Sequence, residues 1–406
     1  MTSDSLDLNV TIKDDIEKLS ENTCQIRCLL LDEKDKKVLK WLSPIDPSIN
    51  HICARKKHAP TTGNWFLQSP QFLTWKESTN TSLWIQGKPG AGKTILCSTI
   101  IDEIAKLCDP QKSSDQHAYF YFDFNIKWNT VDMLRSIIAQ LCSQRGEIPK
   151  VLEEWYQKCA GGQRQPDLDA LFEIFSAVLT TSNRTFLVLD ALDECSVGSE
   201  REDLLESIEK MTSISTAHLN LLVTSRKVRD IQIQLDPQIS VKMDLENLVD
   251  SDIQIYVTEC LRSDKNLRKW DVDIKQKIQE ALLKHANGMY SFPSTSLLIG
   301  RFRWVECQLI SLRRCRSVRA LENALAQLPK DLDATYQHIL AAIPEEEQCS
   351  AHRALQLVLV SFRPLTIKEV SWAITVNIDT GKEDPKMRLR DPLDILEICC
   401  GLIEAS

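Results

Sequence analysis

No apolar run in this sequence approaches the roughly eighteen residues that a membrane-spanning helix requires. The N-terminus, MTSDSLDLNV, is polar and acidic where a secretory signal would be basic and then apolar. An excess of positive charge is also missing: 49 Lys and Arg stand against 57 Asp and Glu, for a net charge of −8. With a pI near 5.5, this argues against coating nucleic acid or a membrane surface. The 14 cysteines include no C-x-x-C pair and no Cys/His cluster at zinc spacing, so neither a disulfide framework nor a zinc module is expected. They read as reduced core thiols of a cytoplasmic protein. What is present is the composition of a globular protein, 43% hydrophobic and 26% charged, and the length predicts two or three domains.

The stretch Ser82–Ile95, SLWIQGKPGAGKTI, organises the rest. Gly87, Gly92, Lys93 and Thr94 fit G-x-x-x-x-G-K-[ST], the phosphate-binding loop of P-loop NTPases. Leu83, Trp84 and Ile85 before it read as a buried strand; Ile95, Leu96, Ile100, Ile101, Ile104 and Leu107 after it read as a helix packed on a sheet. In such a strand–loop–helix unit the loop from Gly87 through Pro89, Gly90, Ala91 and Gly92 to Ile95 turns its main-chain N–H groups (Pro89 has none) on phosphate oxygens, and the helix N-terminus adds partial positive charge. Lys93 would reach the β- and γ-phosphates and Thr94 would ligate Mg²⁺.

A second constellation follows. TFLVLDALDEC delivers Asp190 at the end of an apolar strand, at the edge where ligands bind in open α/β sheets. Asp190 is expected to hold Mg²⁺ directly or through water, together with Thr94. Asp193 and Glu194 add two carboxylates, either of which could orient or deprotonate an attacking water, with Glu194 the first choice. Arg226 ends the strand LNLLVTSR; if that strand lies between the first and third, its guanidinium faces the γ-phosphate, and otherwise it only caps a strand edge.

Elsewhere, Ile12, Ile16, Leu19, Thr23, Ile26 and Leu30 form a short heptad seam, read as a helix packed on the next domain. Arg55, Lys56, Lys57 and His58 read as a solvated loop; Trp65, Phe66, Leu67, Phe72, Leu73 and Trp75 should pack on the edge of the nucleotide domain. Strands are expected at His117–Phe124, in Thr185–Cys195 together with its exit loop, at Leu219–Arg226 and at Ile239–Leu248, with helices between them. The fold class is therefore α/β: a P-loop parallel sheet with helices on both faces.

Together these residues resemble the NACHT class of signal-transducing P-loop NTPases, specifically fungal NOD-like-receptor relatives with a nephrocystin-type N-terminal module. The resemblance rests on GKPGAGKT, YFYFDF, RSIIAQLC, FLVLDALDEC, LLVTSRK, HANGM with FRWVECQL, LPKDLDATYQHIL and RPLTIKEVSWAI. It implies four regions: an N-terminal helical segment and linker (1–58), the nucleotide-binding domain (59–248), a helical domain (249–345) and a winged-helix domain (346–406). It places the Arg226 strand between its two neighbours and makes Arg226 a sensor. It also implies a switch in which ADP holds a closed monomer, ATP promotes self-association and slow hydrolysis resets the state. Such relatives serve signalling and innate immunity and often carry ankyrin or WD repeats, which are not recognisable here.

Two departures stand out. Gly288-Met289 occupies the place of the Gly-x-Pro of related switches, and Tyr290–Arg301 separates HANGM from FRWVECQL. Excising 290–301 restores one amphipathic helix, so we expect an insert, consistent with read-through of a short intron. The abrupt end at Ser406 reads as truncation or a stripped core. The proposed winged helix is not expected to bind DNA, since TIKEVSWAITV holds one lysine and no arginine. The leading expectation is a Mg²⁺-dependent ATP/ADP switch with weak ATPase activity and unknown protein partners, without nucleic acid or membrane. The alternative is a nucleotide-locked scaffold or inactive product. A small-molecule kinase would need a substrate lid, and a GTPase the absent N-K-x-D motif.

Overall fold

The computed structural model describes residues 33–403 except 44, 110–112, 124–125, 127, 145–147, 181, 215–217, 246–248, 289–299, 342, 362, 364, 377–381 and 400–401. The heptad seam and residues 290–299 of the expected insert lie outside the described residues. Among the described residues four helices precede the sheet: α1 (Glu33–Leu42), α2 (Ser48–Lys57), α3 (Asn64–Leu67) and α4 (Pro70–Glu77). Then come β1 (Ser82–Gln86), α5 (Lys93–Leu107), β2 (Gln116–Tyr121), α6 (Thr130–Ser143), α7 (Lys150–Lys158), α8 (Leu168–Leu179) and β3 (Thr185–Asp190). The sheet is completed by β4 (Leu219–Ser225) after α9 (Ser199–Thr212), and by β5 (Val241–Asp244) after α10 (Arg229–Leu235).

The five strands run in the order β2-β3-β4-β1-β5, and every pairing is parallel. Burial explains why the three central strands read as continuous apolar runs: each residue of β1, β3 and β4 is buried. Alternation then assigns the faces. Trp84, Leu187, Leu189, Leu221 and Val223 meet α6, α8 and α9 in one core, which Val38 and Leu42 of α1 extend. Leu83, Ile85, Phe186, Val188 and Leu222 meet α5 in the other. Local signals agree: Asn129 and Asp132 form a capping box that opens α6.

The second core does not stop at residue 248. It continues through Leu245, Val249, Ile253 and Val257 into α11 (Asp250–Ser263), α12 (Val272–Gly288), α13 (Arg301–Leu312), α14 (Val318–Ala326) and α15 (Leu332–Ala341). A third, smaller core joins α16 (Glu345–Val360), α17 (Ile367–Ala373) and α18 (Asp394–Ile398) through Ala351, Ala354, Val370, Ile374 and Ile395. The capping box of Thr366 and Glu369 does open α17. Among the described residues no helix is long and apolar enough to cross a membrane.

Three expectations need correction. The basic residues Arg55, Lys56 and Lys57 lie in the last turn of α2 rather than in a loop, where their charge opposes the helix's negative C-terminal end. Arg55 there pairs with Asp102 of α5 at 2.7 Å, and His51 bridges Tyr121 and the same Asp102 at 3.0 Å each. Second, β2 ends at Tyr121 and does not continue through Phe122 and Asp123, because its partner β3 ends at Asp190, which Tyr121 faces; Phe124 lies outside the described residues. Third, the aromatics before β1 enter the core instead of covering an edge. Phe66, Phe72 and Trp75 are fully buried, and the Trp75 indole N–H donates to the Leu221 carbonyl of central β4 at 2.9 Å.

Candidate functional site: a phosphate cradle at the carboxyl rim of the sheet

β1 delivers its chain at the rim into the glycine loop. Gly90 and Gly92 take φ of +71° and +87°, a region that side chains other than glycine's disfavour, and α5 begins at Lys93. The Lys93 ammonium donates to the carbonyls of Gly87 at 2.7 Å and Lys88 at 3.1 Å. Burial lowers its pKa, against the raising charges of Asp193, Asp190 and Glu194.

The central feature is one carboxylate held from two sides. Thr94 Oγ1 donates to Asp190 Oδ2 at 2.7 Å, and Thr224 Oγ1 donates to Asp190 Oδ1 at 2.6 Å. Asp190 is 2% exposed. Its burial raises its pKa, while the Thr224, Thr94 and Cys97 hydrogen bonds and the Lys93 charge act the other way. A hydroxyl and a carboxylate oxygen at this separation are hard ligands suited to Mg²⁺. That ion commonly takes one or two protein oxygens and completes its shell with phosphates and water.

After Asp190 the chain turns sharply. Ala191 takes φ +58°, and its N–H donates to Thr224 Oγ1 at 2.9 Å. The following 3₁₀ turn, Leu192–Glu194, carries two carboxylates back towards the loop. Asp193 is buried and committed: it accepts from the Arg226 main-chain N–H at 2.8 Å and is ion-paired with the Arg226 guanidinium. Glu194, half-buried, contributes to the field at Lys93. Since β4 lies between β3 and β1, Arg226 emerges beside the P-loop. Every site residue read from the sequence therefore falls at one rim.

A second surface adjoins this rim, built from residues outside the motifs. A cleft of about 200 Å³ beside Gly90, Ala91, Gly92 and Ile95 is bounded by Thr62, Gly63, Trp65, Tyr256, Phe302 and Arg303. Asp252 of α11 ties the entry loop in place, accepting from Gly63 N–H at 2.9 Å and the Trp65 indole at 2.7 Å. The start of α13 lies directly on the loop: a Cβ on Gly90 would meet Gly300 Cα at 2.8 Å, and one on Gly300 would meet the Pro89 carbonyl at 2.9 Å. Gly300 and Arg301, the last two residues of the expected insert, are thus packed. The Arg301 guanidinium donates to the Ala286 carbonyl at 3.0 Å and pairs with Asp250. Thr224 had a signal in VTSR, as a hydroxyl near the end of a central strand.

Residues 61–226 match the family described as Nephrocystin 3, N-terminal. Over 339 residues the chain is 27% identical to vegetative incompatibility protein HET-E-1 of Podospora anserina, covering 79% of this chain and 23% of that protein. It is 38% identical over 106 residues to azaphilone pigments biosynthesis cluster protein L of Monascus ruber, covering 26% of this chain and 22% of that one. The chain thus spans less than a quarter of the length of these curated relatives. Among solved structures, Cdc6p from Pyrobaculum aerophilum aligns over 87% of this chain and 89% of its own, at 14% identity and a TM-score of 0.42. The Aeropyrum pernix Orc1 protein, solved in complex with DNA, aligns over 90% and 88% at 12% identity and a TM-score of 0.37. The parallel sheet and the glycine loop give the chain the P-loop NTPase fold, and its sequence is similar to fungal NACHT-type proteins, with residues 61–226 matching the nephrocystin 3 N-terminal family.

Proposed function

We propose that this chain is the core of a nucleotide-dependent signalling switch that binds ATP or ADP with Mg²⁺ at the P-loop and hydrolyses ATP slowly. The observation that carries this reading is the 2.7 Å contact between Thr94 and Asp190, from elements 96 residues apart in sequence, with the second Asp190 oxygen fixed by Thr224. Main-chain N–H groups from Gly87 to Ile95 would hold the phosphates, and Lys93 would leave its loop carbonyls for the β- and γ-phosphates. Bound Mg²⁺ would neutralise the phosphate charge between Thr94 and Asp190.

Glu194 is the candidate to orient or deprotonate water. The Asp193–Arg226 pair would instead respond to the γ-phosphate. Residues 59–248 would form the nucleotide domain, 249–345 a lid over the loop and 346–406 a winged-helix unit. Signalling by self-association in the ATP state belongs to the same proposal. Purified protein should carry nucleotide, and Glu194→Gln should retain Mg·ATP binding but turn over more slowly. Equal turnover would move the base elsewhere, and a protein that never takes up nucleotide would remove the reading.

A second reading, a nucleotide-locked scaffold, is favoured by the close seat of Gly300 and Arg303 on Gly90. Tight ADP binding with no turnover would select it.

A further inference from the structure

Far from the P-loop in sequence, three chain segments converge on a second, larger cleft of about 1320 Å³ that shares no lining residue with the first. They are the turn at 269–270, the end of α13 with its exit at 313–316, and the stretch 388–390 before α18. Six cations line it: Lys269, Arg313, Arg314, Arg316, Arg388 and Arg390. Against them stand Glu347, Asp394 and Glu397, so the lining is positive in a chain whose net charge is −8. Two of the six are answered locally, Arg313 by Asp264 at 2.8 Å and Arg388 by Glu383 at 3.0 Å. Among the described residues Lys269, Arg314, Arg316 and Arg390 have no carboxylate partner within ion-pair distance, and all four side chains are exposed.

Holding like charges together without partners is unfavourable for the isolated fold, so the cluster calls for an anion from outside. The remaining lining narrows which. Trp270 and Leu389 are half-buried and Ile398 is buried along the same cleft, giving apolar ground between the guanidinium groups. Its volume exceeds the roughly 300–1,000 Å³ of small-molecule pockets. The three interleaved carboxylates would repel a compact polyphosphate, whose charge is dense. An extended peptide spaces its carboxylates by about 7 Å on each face, so acidic residues can meet arginines while apolar ones meet Trp270 and Leu389. Guanidinium forks pair carboxylates in bidentate geometry, and Arg and Trp are the residue types that dominate binding hot spots.

We propose that this cleft binds an acidic, leucine-containing peptide segment of a partner protein. The interaction is independent of the nucleotide reading, because it uses none of the P-loop residues. The test is fluorescence anisotropy on the full chain with a labelled peptide alternating aspartate and leucine. Controls are the same peptide with asparagine for aspartate, a DNA duplex and inositol hexakisphosphate. Binding should weaken as salt screens the charges, and the Arg314→Glu, Arg390→Glu double variant should lose about tenfold or more in affinity. The Arg314→Gln, Arg390→Gln variant should lose less, with thermal midpoint and P-loop nucleotide affinity unchanged in both. Equal binding of the asparagine peptide, full retention by the double Glu variant, or tighter binding of the duplex or of inositol hexakisphosphate would each overturn the proposal.

Discussion

The phosphate cradle and the cleft beside it share Gly90, Ala91, Gly92 and Ile95, yet they are built in opposite ways. The cradle comes from short contiguous runs: a glycine loop, a strand end at Asp190 and another at Arg226, aligned because parallel strands all present their carboxyl ends at one rim. Its chemistry sits in residue types that do nothing else well there. The neighbouring cleft is assembled from Thr62 and Gly63 before the sheet, Tyr256 in α11 and Phe302 in α13. In sequence Tyr256 and Phe302 read as ordinary apolar filling, and Thr62 and Gly63 as a bend before the first strand. Local motifs therefore disclose where phosphate goes, whereas the surface facing the rest of a nucleotide depends on long-range packing.

The sharpest way to test that division is to remove the cradle's charge. Lys93→Ala should reduce Mg·ATP affinity by about a hundredfold or more, as expected when charge-assisted hydrogen bonds to phosphate are lost. Thermal stability without ligand should change little, since among the described residues the Lys93 ammonium donates to carbonyls of its own loop. Titration calorimetry on both proteins reads the difference, and unchanged affinity would move the phosphates away from this loop.

The contact between the two regions offers the next test. Gly90→Ala must hold a side chain at φ +71° and place a Cβ 2.8 Å from Gly300 Cα, so backbone has to move. A loss of about 1–3 kcal/mol is expected, measured by denaturant unfolding. Gly300→Ala meets the Pro89 carbonyl and Leu332 from the other side and should cost a similar amount. Indifference at both positions would mean that α13 does not seat on the loop. Indifference at Gly300 alone would return that residue to the insert expected at 290–301.

How much was legible follows from the same physics. The strand order was anticipated only for β4 between β1 and β3, and there by the family resemblance, since the residues alone left the position of the Arg226 strand open. The role of β5 at the other edge had no such guide, and its half-buried residues give a weak pattern. The capping boxes at Asn129 and Thr366 fix helix starts within a few residues, and only the second was read, since Asn129–Asp132 carries Asp where Glu or Gln is the usual signal. The basic run Arg55–Lys57 misled because charge density suggests solvent, whereas a helix end and Asp102 across the interface use that charge. The seat of Gly300 on Gly90 could not be read at all. It is a backbone approach between residues 210 positions apart, and glycine leaves no side-chain pattern to mark it.

A smaller effect is expected in the cleft. Phe302→Ala removes a ring that meets Tyr256 edge-on, with centroids 6.0 Å apart, and that lies over Gly92. If the base of the nucleotide occupies this cleft, affinity for ATP should fall about tenfold while affinity for inorganic triphosphate stays unchanged. A parallel loss for both ligands would assign Phe302 to shaping the loop rather than contacting a base.

The smallest effect separates binding from stability. Burial holds the Asp190 pKa above its ordinary value, about 3.9 in an unfolded chain. Between that value and the raised one, the native state retains a proton that the unfolded chain has released, so the unfolded state binds fewer protons and stability falls as pH rises. Asp190→Asn removes this penalty and keeps an acceptor for one of the two threonine hydroxyls. Without nucleotide the variant should melt slightly above the parent at pH 7, with the gain vanishing as pH falls towards about 4. With Mg·ATP the order should reverse, because ligand binding stabilises the parent by mass action and the variant has lost a metal oxygen. A variant already less stable at pH 7 without ligand would mean that the Thr94 and Thr224 hydrogen bonds outweigh the cost of burying the charge. The carboxylate would then be a structural strut of the rim, and its fitness for Mg²⁺ would follow from that role.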